Sequence, residues 1–167
     1  QEDYYKLYTV TAIAVKSVDP DYRVGGPASA NPAWVKQLIT YCDEHNVPID
    51  FATSHCYGVD GYYDDKNGRS KLYLRSEKDF TIETLRGVKR DAASSGHPDM
   101  EVHYTEWGPS YSSRDPVHDT YLAAPYVLYQ LKRLDGYLDS ISYWTFTDIF
   151  EEICPPPTPF HGGFGLI

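Results

Sequence analysis

Positive charge is scarce in this sequence: 15 Lys and Arg stand against 24 Asp and Glu, a net charge of −9. A partner read through its phosphates needs a basic face, so nucleic acid is not expected as a ligand, and a neutral substrate suits the chain better. Long apolar runs are missing as well; none approaches the ~18 residues of a spanning helix, so no membrane segment is expected. Cysteine is sparse, with Cys42, Cys56 and Cys154 widely spaced and no C-x-x-C among them. An odd, scattered set does not suggest a disulfide framework, and Cys42, on the apolar stripe of a helical pattern, reads as a small buried hydrophobe. His55, His97, His103 and His118 show neither H-x-x-H nor H-E-x-x-H spacing, so no metal is expected. Gly25-Gly26-Pro27 lacks the further glycine and lysine of a phosphate loop, and no G-x-S-x-G surrounds Ser54-His55. No cofactor is implied.

What the chain does have is tyrosine, 16 of them beside three Trp and six Phe. Such rings stack on sugars, but they also fill cores and interfaces. The periodicity alternates helix and strand. Residues 4–17 place Tyr4, Leu7, Tyr8, Thr11 and Val15 on one helical stripe, stopped by Pro20. A short strand at Tyr22-Arg23-Val24 ends in Gly25-Gly26-Pro27. Asn31-Pro32 then opens a helix near 32–45 with Trp34, Val35, Leu38, Ile39 and Cys42 on one face. Residues 49–54 form a second strand running into His55-Cys56-Tyr57, and a long polar loop is expected over about 57–77. A helix near 80–94 precedes a third strand, 101–106. A helix over about 118–134, with a kink at Pro125, leads to a fourth strand, 141–146, and a loop tail. Strand–helix alternation implies right-handed βαβ units and an α/β fold with a parallel sheet. Four such units are either half of an eightfold barrel or a small doubly wound sheet, and periodicity does not choose. At 167 residues the chain is short of the ~250 of a complete TIM barrel. Its opening Gln1-Glu2-Asp3, helical in pattern by Tyr4, reads as a cut from something longer.

In parallel α/β sheets active sites gather at the C-terminal ends of the strands. The second strand ends at His55 and Tyr57 and the third at Glu106, followed by Trp107. The fourth ends at Trp144, Thr145 and Asp148, with Glu151 and Glu152 beyond. Taken singly, each has a plainer reading: a solvated Glu, a hydrogen-bonded structural His, a core Trp, an exposed acidic pair. Together they supply a carboxylate nucleophile, groups that bind hydroxyls and an aromatic floor, which is glycosidase chemistry.

Arg23-Val24-Gly25-Gly26-Pro27-Ala28, Asp50-Phe51 to His55-Cys56-Tyr57 and Thr105-Glu106-Trp107-Gly108-Pro109-Ser110 occur in that order. Tyr143-Trp144-Thr145-Phe146-Thr147-Asp148 with Phe150-Glu151-Glu152, and then Phe164-Gly165-Leu166, follow. The set resembles family 39 glycoside hydrolases, which include β-xylosidases and α-L-iduronidases. The resemblance implies the second half of a (β/α)8 TIM barrel over residues 1–167, from about the helix after strand 4 through the loop after strand 8. It implies that Glu106 is the catalytic nucleophile and that His55, Tyr57, Trp144, Glu151 and Glu152 bind the sugar. The expected substrate is a small xylo-oligosaccharide or aryl xyloside. A uronic acid would want a cation, which Arg114 or Lys66 would supply. The family's acid/base, the Glu of an Asn-Glu-Pro motif, has no counterpart in this chain. The expected partner is therefore the N-terminal half of the barrel, or a second copy of the chain. A non-catalytic carbohydrate-binding half-barrel is the alternative from another class.

Overall fold

The computed structural model describes residues 1–64, 70–74, 79–112, 115–147 and 164–166. Helix α1 (Glu2–Val18) leads to β1 (Gly25–Ala30), α2 (Val35–His45) and β2 (Phe51–Tyr57). A hairpin of β3 (Val59–Asp64) and β4 (Ser70–Leu74) follows, then α3 (Phe80–Ser94), β5 (Glu101–Gly108), a 3-10 helix (Pro116–Asp119), α4 (Ala123–Leu134) and β6 (Ser140–Tyr143). The four longer-range strands form one sheet in the order β1-β2-β5-β6. They are parallel and flanked by helices, as the alternation of elements predicts.

Several boundaries differ from the sequence expectation, each for a packing reason. The Gly25-Gly26-Pro27 stretch, expected to end a strand, begins β1 instead. A Cβ on Gly25 would lie 2.3 Å from the Phe51 carbonyl, and one on Gly26 would lie 2.7 Å from the Tyr4 hydroxyl, so both glycines serve close approach. Pro27 is tolerated because β1 is an edge strand. The register slips between Pro27 and Ser29, where left-handed Ala28 donates its N–H to Thr53 Oγ1 at 2.8 Å. Trp34 does not share the helix face with Val35, Leu38, Ile39 and Cys42. Its left-handed backbone (φ 69°) sets it outside α2 and 40 % exposed, while those four are buried.

The expected loop over 57–77 contains an antiparallel hairpin, with Val59 opposite Leu74 and Asp64 opposite Ser70. Glycine and aspartate in this stretch hide the β-forming runs of its two strands from a sequence reading. Pro125 makes no kink. It falls in the first turn of α4, where its missing N–H has no helical acceptor to lose. Ahead of it, Asp115 caps the 3-10 helix by accepting the Val117 N–H at 2.8 Å.

Contacts divide the chain into two units. The first comprises Gln1–His55, Glu83–Thr105 and Gly136–Ile141. Its core joins Tyr8 and Ala12 of α1 to Val24, Leu38, Cys42 and Val47. Burial pushes the Cys42 thiol up to about 12, with Asp43 adding to the effect, consistent with an inert apolar role. Leu7, expected on the packed stripe of α1, is 66 % exposed, on the same side as exposed Val10. In this unit two aspartates start strands in the same way. Asp50 accepts the Val24 N–H at 2.7 Å and pairs with Lys16 at 3.0 Å. Asp139 accepts the Val102 N–H at 2.8 Å and pairs with Lys89 at 3.2 Å. Burial opposes ionisation at both, but the backbone N–H and then the lysine outweigh it and hold each carboxyl below its ordinary range.

The second unit comprises Cys56–Ile82, Glu106–Asp135 and Ser142–Ile167. Trp107, Ile82, Val59, Leu134 and Phe164 are buried there. The C-terminal ends of β2, β5 and β6 belong to it.

Candidate active site

Strand pleating sends alternate side chains to opposite faces. On β2, Ala52, Ser54 and Cys56 are fully buried on one face, which leaves His55 and Tyr57 on the other. On β5, Val102 and Tyr104 are fully buried, whereas Thr105 is exposed and Glu106 half-buried. The last residues of these strands are held backbone to backbone. The Gly58 N–H donates to the Gly108 carbonyl at 3.0 Å, and the Trp144 N–H to the Trp107 carbonyl at 2.9 Å.

Within this frame the Tyr57 hydroxyl donates to Glu106 Oε2 at 2.9 Å. The phenol is neutral, so it orients the carboxylate without cancelling its charge. One aromatic ring stands against the Tyr57 side of the pair, and others pack on buried Trp107, the next residue of β5. Tyr111 lies edge-on to Tyr57 at 6.0 Å, and Trp107 packs edge-on to Tyr143 at 5.5 Å and against Tyr126 at 6.2 Å. Half-buried Trp144 follows β6, and the peptide bond after it is cis. Beyond it, Phe164-Gly165-Leu166 returns to the same backbone, with Thr145 N–H donating to the Phe164 carbonyl and Leu166 N–H to that of Phe146. The Phe164 ring is buried 4.4 Å from that of His118.

The residues expected at the site fall into three groups. Tyr57 and Glu106 meet at the strand ends of the second unit, where Trp144 is joined to the Trp107 backbone by its N–H. His55 belongs to the first unit, beside Ala30 in the ladder, and its carbonyl accepts the Asn31 N–H at 2.9 Å. Glu151 and Glu152, with Asp148, Lys66, Arg114 and Cys154, lie outside the described residues. Tyr111, 45 % exposed, is an aromatic the sequence reading does not single out; its position five residues after Glu106 was the available signal. Among the described residues no group of three or more His, Cys, Asp or Glu side chains could hold a metal ion.

A carboxylate that accepts from a phenol near the C-terminal end of a strand is suited to reaction at the anomeric carbon of a sugar. Residues 1–167 match Glycosyl hydrolases family 39. The chain belongs to that family. This family 39 chain is 41 % identical over 177 residues to a β-xylosidase of Geobacillus stearothermophilus, covering 100 % of this chain and 34 % of that protein. The family 39 enzyme from Xanthomonas axonopodis pv. citri matches with a TM-score of 0.91 and 47 % identity, over 100 % of this chain and 33 % of that one. A monomeric β-xylosidase from Caulobacter crescentus CB15 matches with a TM-score of 0.91 and 42 % identity, over 100 % and 34 %. The chain thus spans about a third of the length of the relatives it matches. Its four parallel strands and flanking helices are the second half of a (β/α)8 barrel, the fold of the family's catalytic domain, which settles the choice that periodicity left open.

Proposed function

We propose that this chain carries the nucleophile of a retaining β-xylosidase, from about the helix after the fourth barrel strand through the loop after the eighth. The observation that carries the reading is the 2.9 Å bond from Tyr57 to Glu106 at the end of β5. In the reaction, a Glu106 carboxylate oxygen attacks the anomeric carbon as the bond to the leaving oxygen breaks, and that oxygen takes a proton from a second carboxyl. Water, losing a proton to the same second group, then releases the sugar from the ester. Retention requires the two carboxyls about 5–5.5 Å apart. The second one is supplied by an N-terminal segment outside these residues, and its proton transfer contributes about 10²–10⁴-fold. His55, Tyr57, Trp144, Glu151 and Glu152 bind the xylosyl unit.

Two apolar helix faces support a longer barrel. Leu7, Val10 and Ile13 on α1 are 66 %, 69 % and 53 % exposed, and Leu128 and Leu131 on α4 are 69 % and 43 % exposed. Further helices of a closed barrel would cover them. The relatives named as β-xylosidases favour a pentoside over a uronide, and a net charge of −9 agrees. The test is labelling by an activated 2-fluoro-xyloside, whose leaving group needs no acid, followed by peptide mapping. One adduct on Glu106 is expected, with Glu106→Gln lowering turnover by at least about 10³-fold. An adduct elsewhere, or turnover that survives the substitution, would overturn the reading.

A further inference from the structure

The Tyr57–Glu106 bond depends on how closely two strand ends approach, and Gly58 stands at the point of closest approach. Its N–H reaches the Gly108 carbonyl at 3.0 Å. A Cβ built on Gly58 would lie 2.8 Å from the Pro109 carbonyl oxygen and 2.8 and 2.9 Å from two ring carbons of Tyr126. Neither neighbour yields cheaply. The Pro109 oxygen is backbone at the exit of β5, and Tyr126 packs against Trp107, which is 1 % exposed. The backbone of Gly58 is not left-handed, so the demand for glycine here is one of space rather than of φ. Gly108, the other half of the contact, is less constrained. Its Cβ would stand 3.5 Å from Tyr57 and 3.6 Å from the Trp144 carbonyl, ordinary contact distances.

We propose that Gly58 is a positioning residue for the reaction: its missing side chain lets β2 close on β5 so that the adjacent Tyr57 hydroxyl reaches Glu106. This rests on the reading of Glu106 as nucleophile. A methyl group at residue 58 pushes the end of β2 outward, because the Pro109 backbone on the other side resists displacement. A hydrogen bond at 2.9 Å is lost within about half an ångström of such movement, so a small displacement has a full effect. Misplacement of a catalytic group by ~1 Å costs on the order of 10²-fold in rate.

The experiment is a double-mutant cycle in the full-length protein, reading the rate of covalent labelling by the activated 2-fluoro-xyloside. Gly58→Ala is expected to lower that rate by on the order of 10²-fold. In a Tyr57→Phe background the same substitution should cost less than about twofold, because the bond it disturbs is already gone. An equal factor in both backgrounds would overturn the proposal, since Gly58 would then act on the fold and not through Tyr57. No loss from Gly58→Ala alone would overturn it too. If that variant folds poorly, Gly58→Ala with Tyr126→Leu removes the ring carbons and leaves only the Pro109 oxygen, and the same cycle is read there. Glu106→Gln separates the two ideas. Turnover surviving it ends the nucleophile reading and Gly58's part in it, whereas turnover lost with an additive cycle ends only the positioning role.

Discussion

At the N-terminal ends of β2 and β6, Asp50 and Asp139 each take a backbone N–H and a lysine, whereas Glu106 near the C-terminal end of β5 takes the neutral hydroxyl of Tyr57. The aspartates are tied to the main chain of Val24, just before β1, or of Val102 in β5, whose carbonyl in turn accepts the aspartate's own N–H. Each is thus a fixed anion that locks strand register. Glu106 accepts from another side chain, the Tyr57 hydroxyl. Carboxylates at one end of the strands hold the fold, and the one at the other end is the nucleophile of the proposed reaction. This division follows from the parallel sheet, whose C-terminal edge carries the variable loops.

The comparison breaks most visibly if the aspartates prove catalytic. Replacing both Asp50 and Asp139 by Asn should lower unfolding stability by about 2–4 kcal/mol, since each loses charge-assisted bonds that are partly exposed. Activity per folded molecule should stay within about twofold of the parent. Denaturant unfolding alongside active-site titration measures both, and a large loss of specific activity would erase the distinction between the two ends.

Acid sharpens it next. Both carboxyls titrate below the ordinary aspartate range in the folded protein, so each favours the folded state when ionised. Their contribution is complete above about pH 5, declines as pH falls through about 4 and is gone below their folded values. Urea midpoints between pH 6 and pH 3 should therefore drop more steeply for the parent than for the double Asn variant. Parallel slopes would mean that these pairs contribute nothing to acid stability.

The smallest effect lies on α3, away from both carboxylate sets. Gly87 is inside this helix, and a Cβ there would meet only the Arg90 side chain, at 3.8 Å. Gly87→Ala should raise stability by about 0.5–1 kcal/mol through helix propensity alone, read as a higher unfolding temperature with unchanged kinetics. It contrasts with Gly58→Ala, where the same added methyl has no room. A glycine's meaning is set by what surrounds it.

Much of the architecture was legible because it rests on local signals. The helices over 4–17 and 80–94 and the strands over 49–54 and 101–106 follow from apolar periodicity, and Gly96, left-handed at φ 86°, marks the stop after α3. Glu106 and Tyr57 could be nominated because strand ends are visible in the pattern. The hairpin within 57–77 was not legible, since glycine and aspartate there signal loop until two runs find each other across the turn. Trp34 was assigned to a helix face because nothing local announces a left-handed backbone at a tryptophan.

The sequence by itself determined the alternation of elements, the parallel α/β class and which carboxylate would end a strand, because propensity and periodicity act over a few residues. It also determined family membership, through motifs that occur in a fixed order along the chain. Only the tertiary structure decided which glycines admit a neighbour and that Tyr57 reaches Glu106. Nor could a fixed-period search find the paired aspartate arrangement, because Asp50 follows Val24 by 26 residues and Asp139 follows Val102 by 37. The physical reason is common to all three. A hydrogen bond or a close contact is decided within about half an ångström, and that distance is set by residues far apart in the chain.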